Sequence, residues 1–143
     1  MPKEFANDPS AYHFKRILGS DENAARESGF AYKSLESGVL ALDDRFIPED
    51  PDKYDPAGIK IEVSYIANQA FMPEGYIIKN AHKLTMPVWL VQGRYDMVCP
   101  PKTAYELHQR LPNSHLVWTI SGHKAEHEMW NVVRTVLLQL TTL

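Results

Sequence analysis

The clearest pattern of hydrophobic and polar positions lies in the second half of the chain. Residues 87–92 form a short, continuous apolar run, which predicts a strand covered on both faces of a sheet. A second strand is predicted over 115–120, after a helix over 102–111. A last helix over 126–140 carries one apolar stripe: Met129, Val132, Val133, Val136 and Leu140. The order strand, helix, strand, helix predicts a parallel sheet with flanking helices, and so an α/β fold.

The first half of the chain shows helical periodicity and many charges. Ser20 precedes acidic residues that suit the first turn of a helix. Residues 43–58 hold three prolines among many acids and predict a surface loop. Residues 59–71 fit either a strand or a helix, and their length favours a helix. Before the loop, four apolar residues share one predicted helix face: Leu35, Val39, Leu42 and Phe46.

Composition narrows the class of protein. The 143 residues suffice for about one domain, and 15 Lys and Arg against 18 Asp and Glu leave a net charge of −3. This balance gives no signal for binding nucleic acid or an anionic membrane. The sequence contains one cysteine. It shows no run of about 18 apolar residues and no visible secretory signal. We therefore expect a soluble, cytoplasmic protein with a helical segment over 1–84 and a core segment over 85–143.

Two ionisable residues follow the two predicted strands. Asp96 lies four residues past Gln92, and His123 lies three residues past Ile120. Because functional groups collect at the carboxyl ends of parallel strands, we expect the two loops to meet. An aspartate that orients a general-base histidine is two thirds of a catalytic triad, in the chain order of an α/β-hydrolase. The alternative is that Asp96 caps a turn and that His123 is a surface histidine.

The nucleophile of such a triad is not visible in the sequence. It should occupy a Gly-x-Ser-x-Gly turn between an early strand and a helix. None of the eight serines stands at that spacing: Ser10, Ser20, Ser28, Ser34, Ser37, Ser64, Ser114 and Ser121. We therefore expect that the chain lacks the N-terminal half of the sheet together with its serine.

Two further chemistries fit these residues less well. His123 and His127 stand at i and i+4, but the zinc protease pattern requires glutamate where Lys124 stands, so we predict no metal site. A catalytic Cys99 would need a base and an oxyanion site beside it. We interpret Cys99 instead as a small, partly buried residue that supports the loop of Asp96.

Several motifs resemble one enzyme family, the proline iminopeptidases (prolyl aminopeptidases). Residues 93–100, Gly-Arg-Tyr-Asp-Met-Val-Cys-Pro, resemble the family's acid loop, and residues 121–123, Ser-Gly-His, match its histidine loop. More weakly, residues 32–38 resemble a cap segment with the pattern Trp-x-x-Trp-Glu-Gly, and residues 61–65 resemble Ile-Glu-Asn-His-Tyr. The resemblance covers nearly the whole chain and corresponds to roughly the later half of a family member.

This resemblance implies an α/β-hydrolase serine peptidase that releases N-terminal proline from short peptides and uses no cofactor. It implies a helical cap segment followed by the C-terminal part of the hydrolase core. By motif, Asp96 is the triad acid and His123 is the base. Glu36 and Glu62 are the carboxylates that bind the free amino end of the substrate, since an unpaired buried ammonium is costly.

The same resemblance indicates which partners to expect and which other functions remain possible. We expect a peptide with N-terminal proline as the substrate of the complete enzyme. For this chain we expect association with the missing half or with itself, because a partial sheet exposes an edge and apolar faces. Two alternatives stay open: an α/β-hydrolase that acts on an ester or epoxide, and a non-catalytic binding module that kept the fold.

Overall fold

The computed structural model describes residues 7–40, 42, 50–51 and 54–140. These residues cluster into two compact units. The first contains residues 7–37, 50–51 and 54–74, and the second contains residues 38–40, 42 and 75–140. Among the described residues, no helix is both long enough and apolar enough to cross a membrane.

The first unit is built of helices. Helix α1 spans Pro9–Ile17, α2 spans Glu22–Leu40 and α3 spans Ala57–Ala67, and a 3₁₀ helix follows at Gln69–Phe71. The helical prediction for residues 59–71 is thus confirmed over the strand alternative. Helices α1 and α3 supply a small core of three buried residues: Ile17, Ile59 and Val63. Three half-buried aromatic residues pack against it: Phe14, Tyr32 and Tyr54.

Aspartates begin the first two helices. Asp8 Oδ1 accepts a hydrogen bond from the N–H of Ala11 at 2.9 Å. Asp21 Oδ1 accepts from the N–H groups of Asn23 and Ala24, at 3.0 and 3.1 Å. The cap of α2 therefore falls one residue later than Ser20, because a carboxylate accepts two N–H groups and complements the helix dipole.

The apolar face predicted around Leu35 differs from the structure. Leu35 and Val39 lie in α2 but are 72% and 40% exposed, and Leu42 lies beyond the end of the helix. Phe46 lies outside the described residues. The predicted loop over 43–58 also ends early, because α3 already begins at Ala57, while residues 43–49 and 52–53 lie outside the description.

The second unit contains the strands. After α4 (Tyr76–Asn80) and a 3₁₀ helix (Ala81–Lys83), the order is β1, α5, β2 and α6. These elements span Val88–Gly93, Pro101–His108, Ser114–Thr119 and His127–Leu140. The strands pair in parallel, from Val88 opposite Ser114 to Gly93 opposite Thr119. The predicted order and the parallel pairing are therefore confirmed.

Helix α6 packs its apolar stripe only in part. Met129 and Val136 are buried, as the pattern predicts, whereas Leu140 is 43% exposed. Leu137 and Leu138 are exposed as well. The stripe is thus buried only in part and leaves apolar surface towards the C-terminal end of the helix.

Candidate active site

The structure brings Asp96 and His123 together at the carboxyl ends of the two parallel strands. His123 Nδ1 lies 3.0 Å from Asp96 Oδ2. The Asp96 side chain is 6% exposed, while that of His123 is 36% exposed. A buried carboxylate on Nδ1 fixes the imidazole and leaves Nε2 for a proton transfer, which is the arrangement of the acid and base in a triad.

The second oxygen of Asp96 holds the loop itself. Oδ1 accepts hydrogen bonds from the N–H groups of Val98 and Cys99, at 2.9 and 2.7 Å. Asp96 therefore caps a turn with one oxygen and orients His123 with the other. The turn cap that the sequence offered as an alternative is present at Oδ1, and the contact with His123 uses Oδ2.

Gln92, on β1, also touches the carboxylate. Its Nε2 lies 3.2 Å from Asp96 Oδ2 and 3.1 Å from the carbonyl oxygen of Cys99. The amide thereby ties the acid and the far side of its loop to the strand. Sequence reasoning missed this role, although a polar residue that ends an apolar strand four positions before the acid was the available signal.

Gly93 allows the two loops to approach. A Cβ at this position would lie 2.1 Å from the carbonyl oxygen of Gly122 and 2.6 Å from that of Ser121. Two backbone hydrogen bonds close the junction, from Arg94 N to Thr119 O at 2.9 Å and from Tyr95 N to Ser121 O at 3.1 Å. The residue at 93 must therefore lack a side chain if His123 is to reach Asp96.

Cys99 supports the acid loop differently from the prediction. Its side chain is exposed rather than partly buried, and the contacts to Asp96 and Gln92 come from its backbone. Desolvation and then the charge of Asp96 raise the pKa of the thiol. A raised pKa keeps the thiol protonated, which does not suit a nucleophile.

In the first unit, Glu36 and Glu62 also come together. The two carboxyl groups share a hydrogen bond, and the pKa of Glu62 is raised by desolvation first and then by the charge of Glu36. Lys33 pairs with Glu36 and partly offsets this rise. Desolvation and then Glu62 and Glu36 raise the pKa of the neighbouring Tyr32 hydroxyl. A carboxyl group whose pKa is raised by a neighbouring negative charge is stabilised by a cation, so Glu62 beside Glu36 suits the binding of one.

Comparison with known proteins finds sequence similarity in the region of this geometry. Residues 71–137, which include Asp96 and His123, match the family model described as TAP-like protein (Abhydrolase_4). The proline iminopeptidase of Xanthomonas citri is 34% identical over 131 residues, which cover 87% of this chain. The chain is homologous to the proline iminopeptidases over their C-terminal part. The predicted resemblance and the α/β-hydrolase fold class are thereby confirmed.

Other proline iminopeptidases align in the same way, and all of them are longer. That of Arabidopsis thaliana is 34% identical over 80% of this chain, and that of Neisseria gonorrhoeae is 32% identical over 80%. The chain spans 41% of the Xanthomonas citri protein and 32% of the Arabidopsis protein. A proline iminopeptidase therefore contains much sequence with no counterpart in this chain.

The contact between Gln92 and Asp96 can be tested by Gln92→Glu. The variant keeps the shape of the side chain but places a second carboxylate beside Asp96, so we expect a lower melting temperature, by roughly 5 °C at pH 7.5. The loss should shrink near pH 4.5, where the new carboxyl group is partly protonated and can donate. Circular dichroism melts at both pH values measure this, with Gln92→Leu as the uncharged control. An equal loss for both variants at both pH values would contradict the contact.

Proposed function

We propose that this chain supplies the acid and the base of a serine aminopeptidase that releases N-terminal proline from peptides. The observation that carries the proposal is the 3.0 Å contact between His123 Nδ1 and Asp96 Oδ2 at the ends of two parallel strands. The similarity to proline iminopeptidases over most of the chain supports the choice of reaction. The serine belongs, in this proposal, to a hydrolase segment outside the present chain.

The residues of this chain would move one proton twice. As the serine oxygen bonds to the peptide carbonyl carbon, His123 Nε2 takes the hydroxyl proton. The same proton passes to the leaving amine when the peptide C–N bond breaks, and a water repeats the cycle to release proline. Asp96 holds the imidazole throughout, because one of its oxygens accepts from two backbone N–H groups and the other faces His123 Nδ1.

Glu36 and Glu62 are proposed to bind the amino end of the substrate. Both side chains are half-buried, where an ammonium needs paired negative charge to offset the cost of its desolvation. An incoming ammonium would displace the proton that the raised pKa of Glu62 favours. Since the raised pKa of Glu62 keeps it protonated to higher pH, amine binding should strengthen as the pH rises through that pKa.

This assignment predicts an effect of Glu62→Gln that depends on the substrate. The completed enzyme is this chain fused to the part of the Xanthomonas citri protein that precedes the matched region. We expect the variant to raise the KM for a prolyl arylamide about tenfold, which corresponds to about 1.4 kcal/mol. Hydrolysis of a neutral aryl ester, which carries no ammonium, should not change.

The matched control is Glu106→Gln, because Glu106 makes only an exposed ion pair with Lys102 at 3.6 Å. It should leave both substrates unaffected. Equal losses on the arylamide and the ester in Glu62→Gln would contradict the amine site. An enzyme that cleaves the ester but never the arylamide would favour the esterase alternative.

We further propose that the edge of β1 pairs with a strand of the serine-bearing segment. Val88 N bonds to Asn113 O and Arg94 N to Thr119 O, so alternate residues of β1 face β2. In this parallel register, Trp89 and Val91 turn their backbone N–H and C=O groups to the other edge, where the described residues provide no strand. Strand addition at that edge would satisfy these groups.

Apolar clefts on both faces of β1 support this docking surface. A cleft of about 400 Å³ lies beside α5 and another of about 360 Å³ lies beside α6, and Trp89 and Val91 line both. Exposed apolar surface of this kind is typical of an interface that awaits its partner. Self-association of the chain through the same edge is the competing outcome.

A further inference from the structure

Lys33 binds the carboxylate of Glu36, which is one of the two carboxylates proposed to bind the substrate amine. It lies three residues before Glu36 on α2, and its Nζ donates to Glu36 Oε2. The Glu36 side chain is 19% exposed and that of Lys33 is 44% exposed. The carboxylate is therefore largely withdrawn from water, while the lysine that binds it is more exposed.

A hydrogen bond and charge link Lys33 to this pair of acids. The hydrogen bond to Glu36 raises the pKa of Lys33 against the opposing effect of burial, and the charge of Glu62 adds to the rise. In return, the charge of Lys33 lowers the pKa of Glu62. The exposed pair of Lys102 and Glu106 is an ordinary ion pair by comparison, with side chains that are 83% and 53% exposed.

We propose that the Lys33 ammonium is an internal stand-in for the amino end of the substrate, which displaces it from Glu36 on binding. This inference rests on the amine site assigned above. Lys33 compensates the negative charge of Glu36 when no substrate is present. Its flexible four-carbon stem lets the ammonium move to water when another ammonium arrives.

An ammonium group that occupies the site in this way lowers the affinity of the site for an amine ligand. A ligand must compete with Lys33 for Glu36, so its apparent affinity equals its intrinsic affinity multiplied by the fraction of molecules in which Glu36 is free. The residue thereby sets how tightly the site holds a free amine, and it favours release of the proline product. Removal of the competing ammonium should strengthen amine binding rather than weaken it.

The test is a titration of the full chain with prolinamide at pH 7.5, followed by NMR shifts or by calorimetry. We expect Lys33→Met to bind prolinamide about tenfold more tightly than the unmodified chain, and Lys33→Gln to behave in the same way. Lys33→Arg keeps a cation and should stay within about twofold. Lys102→Met is the matched control and should change nothing, and N-acetylprolinamide, which lacks the ammonium, should not bind.

The outcomes separate this inference from the function on which it rests. If Glu36→Gln weakens prolinamide binding but Lys33→Met and Lys33→Gln do not strengthen it, the role of Lys33 is wrong and the amine site stands. If prolinamide fails to bind any variant, or binds without regard to Glu36 and Glu62, the amine site is wrong and the inference fails with it. Melting curves show whether each variant is folded.

Discussion

Asp96→Asn should lower kcat for proline release by about 10⁴-fold in the completed enzyme, with little change in KM. The reason lies in the two oxygens of Asp96. The N–H groups of Val98 and Cys99 both donate to Oδ1, so the single oxygen of an asparagine must occupy that place. Its NH₂ group then faces His123 Nδ1 and donates to it. The imidazole is held with its proton on Nε2, where it cannot accept the proton of the serine.

Steady-state hydrolysis of a prolyl arylamide measures this effect. Asp21→Asn is the matched control, because asparagine caps a helix about as well as aspartate and Asp21 has no part in the proposed chemistry. The control should keep its full rate. An Asp96→Asn enzyme within tenfold of the unmodified one would remove Asp96 from the triad.

Gly93→Ala should cost the chain about 3 kcal/mol of unfolding free energy and separate His123 from Asp96. The added Cβ would lie 2.1 Å from Gly122 O and 2.6 Å from Ser121 O, and both obstacles are backbone atoms. To relieve this overlap, the loop of Asp96 and the loop of His123 would have to move apart. Urea unfolding of the chain, followed by circular dichroism, measures the loss of stability.

Gly58→Ala supplies the matched glycine control. A Cβ at Gly58 meets nothing within 4 Å, and the residue lies in α3. Alanine there should be neutral or stabilise the chain by about 0.5–1 kcal/mol. Equal stabilities of the two alanine variants would show that the close approach at Gly93 does not hold in solution.

The sequence predicted the elements whose signal is local. The apolar runs before Gln92 and Ile120 marked both strands, and their order along the chain required parallel pairing. It predicted the ends of elements less well, because capping depends on single contacts such as Asp21 with the start of α2. The prediction that Leu35 and Val39 share a buried helix face was wrong. Periodicity shows which residues lie on one side of a helix, but it does not show what packs against that side.

Some residues of the candidate site could also be predicted from local sequence, whereas others could not. Asp96 and His123 were predictable because neighbouring parallel strands end at one edge of a sheet. The roles of Gln92 and Gly93 depend on how closely two loops approach, which spacing along the chain does not encode. Glu36 and Glu62 came from the resemblance alone, and the competition with Lys33 became visible only with their contacts.

The measurement that tests the central claim most directly is proline release after this chain is combined with the part of the Xanthomonas citri protein that precedes the matched region. The account predicts that neither part alone cleaves a prolyl arylamide and that together they do. A fluorophosphonate should then label one serine of the added segment, and His123→Ala should abolish both labelling and turnover. Stoichiometric labelling of a serine in this chain alone, or turnover that survives His123→Ala, would contradict the account.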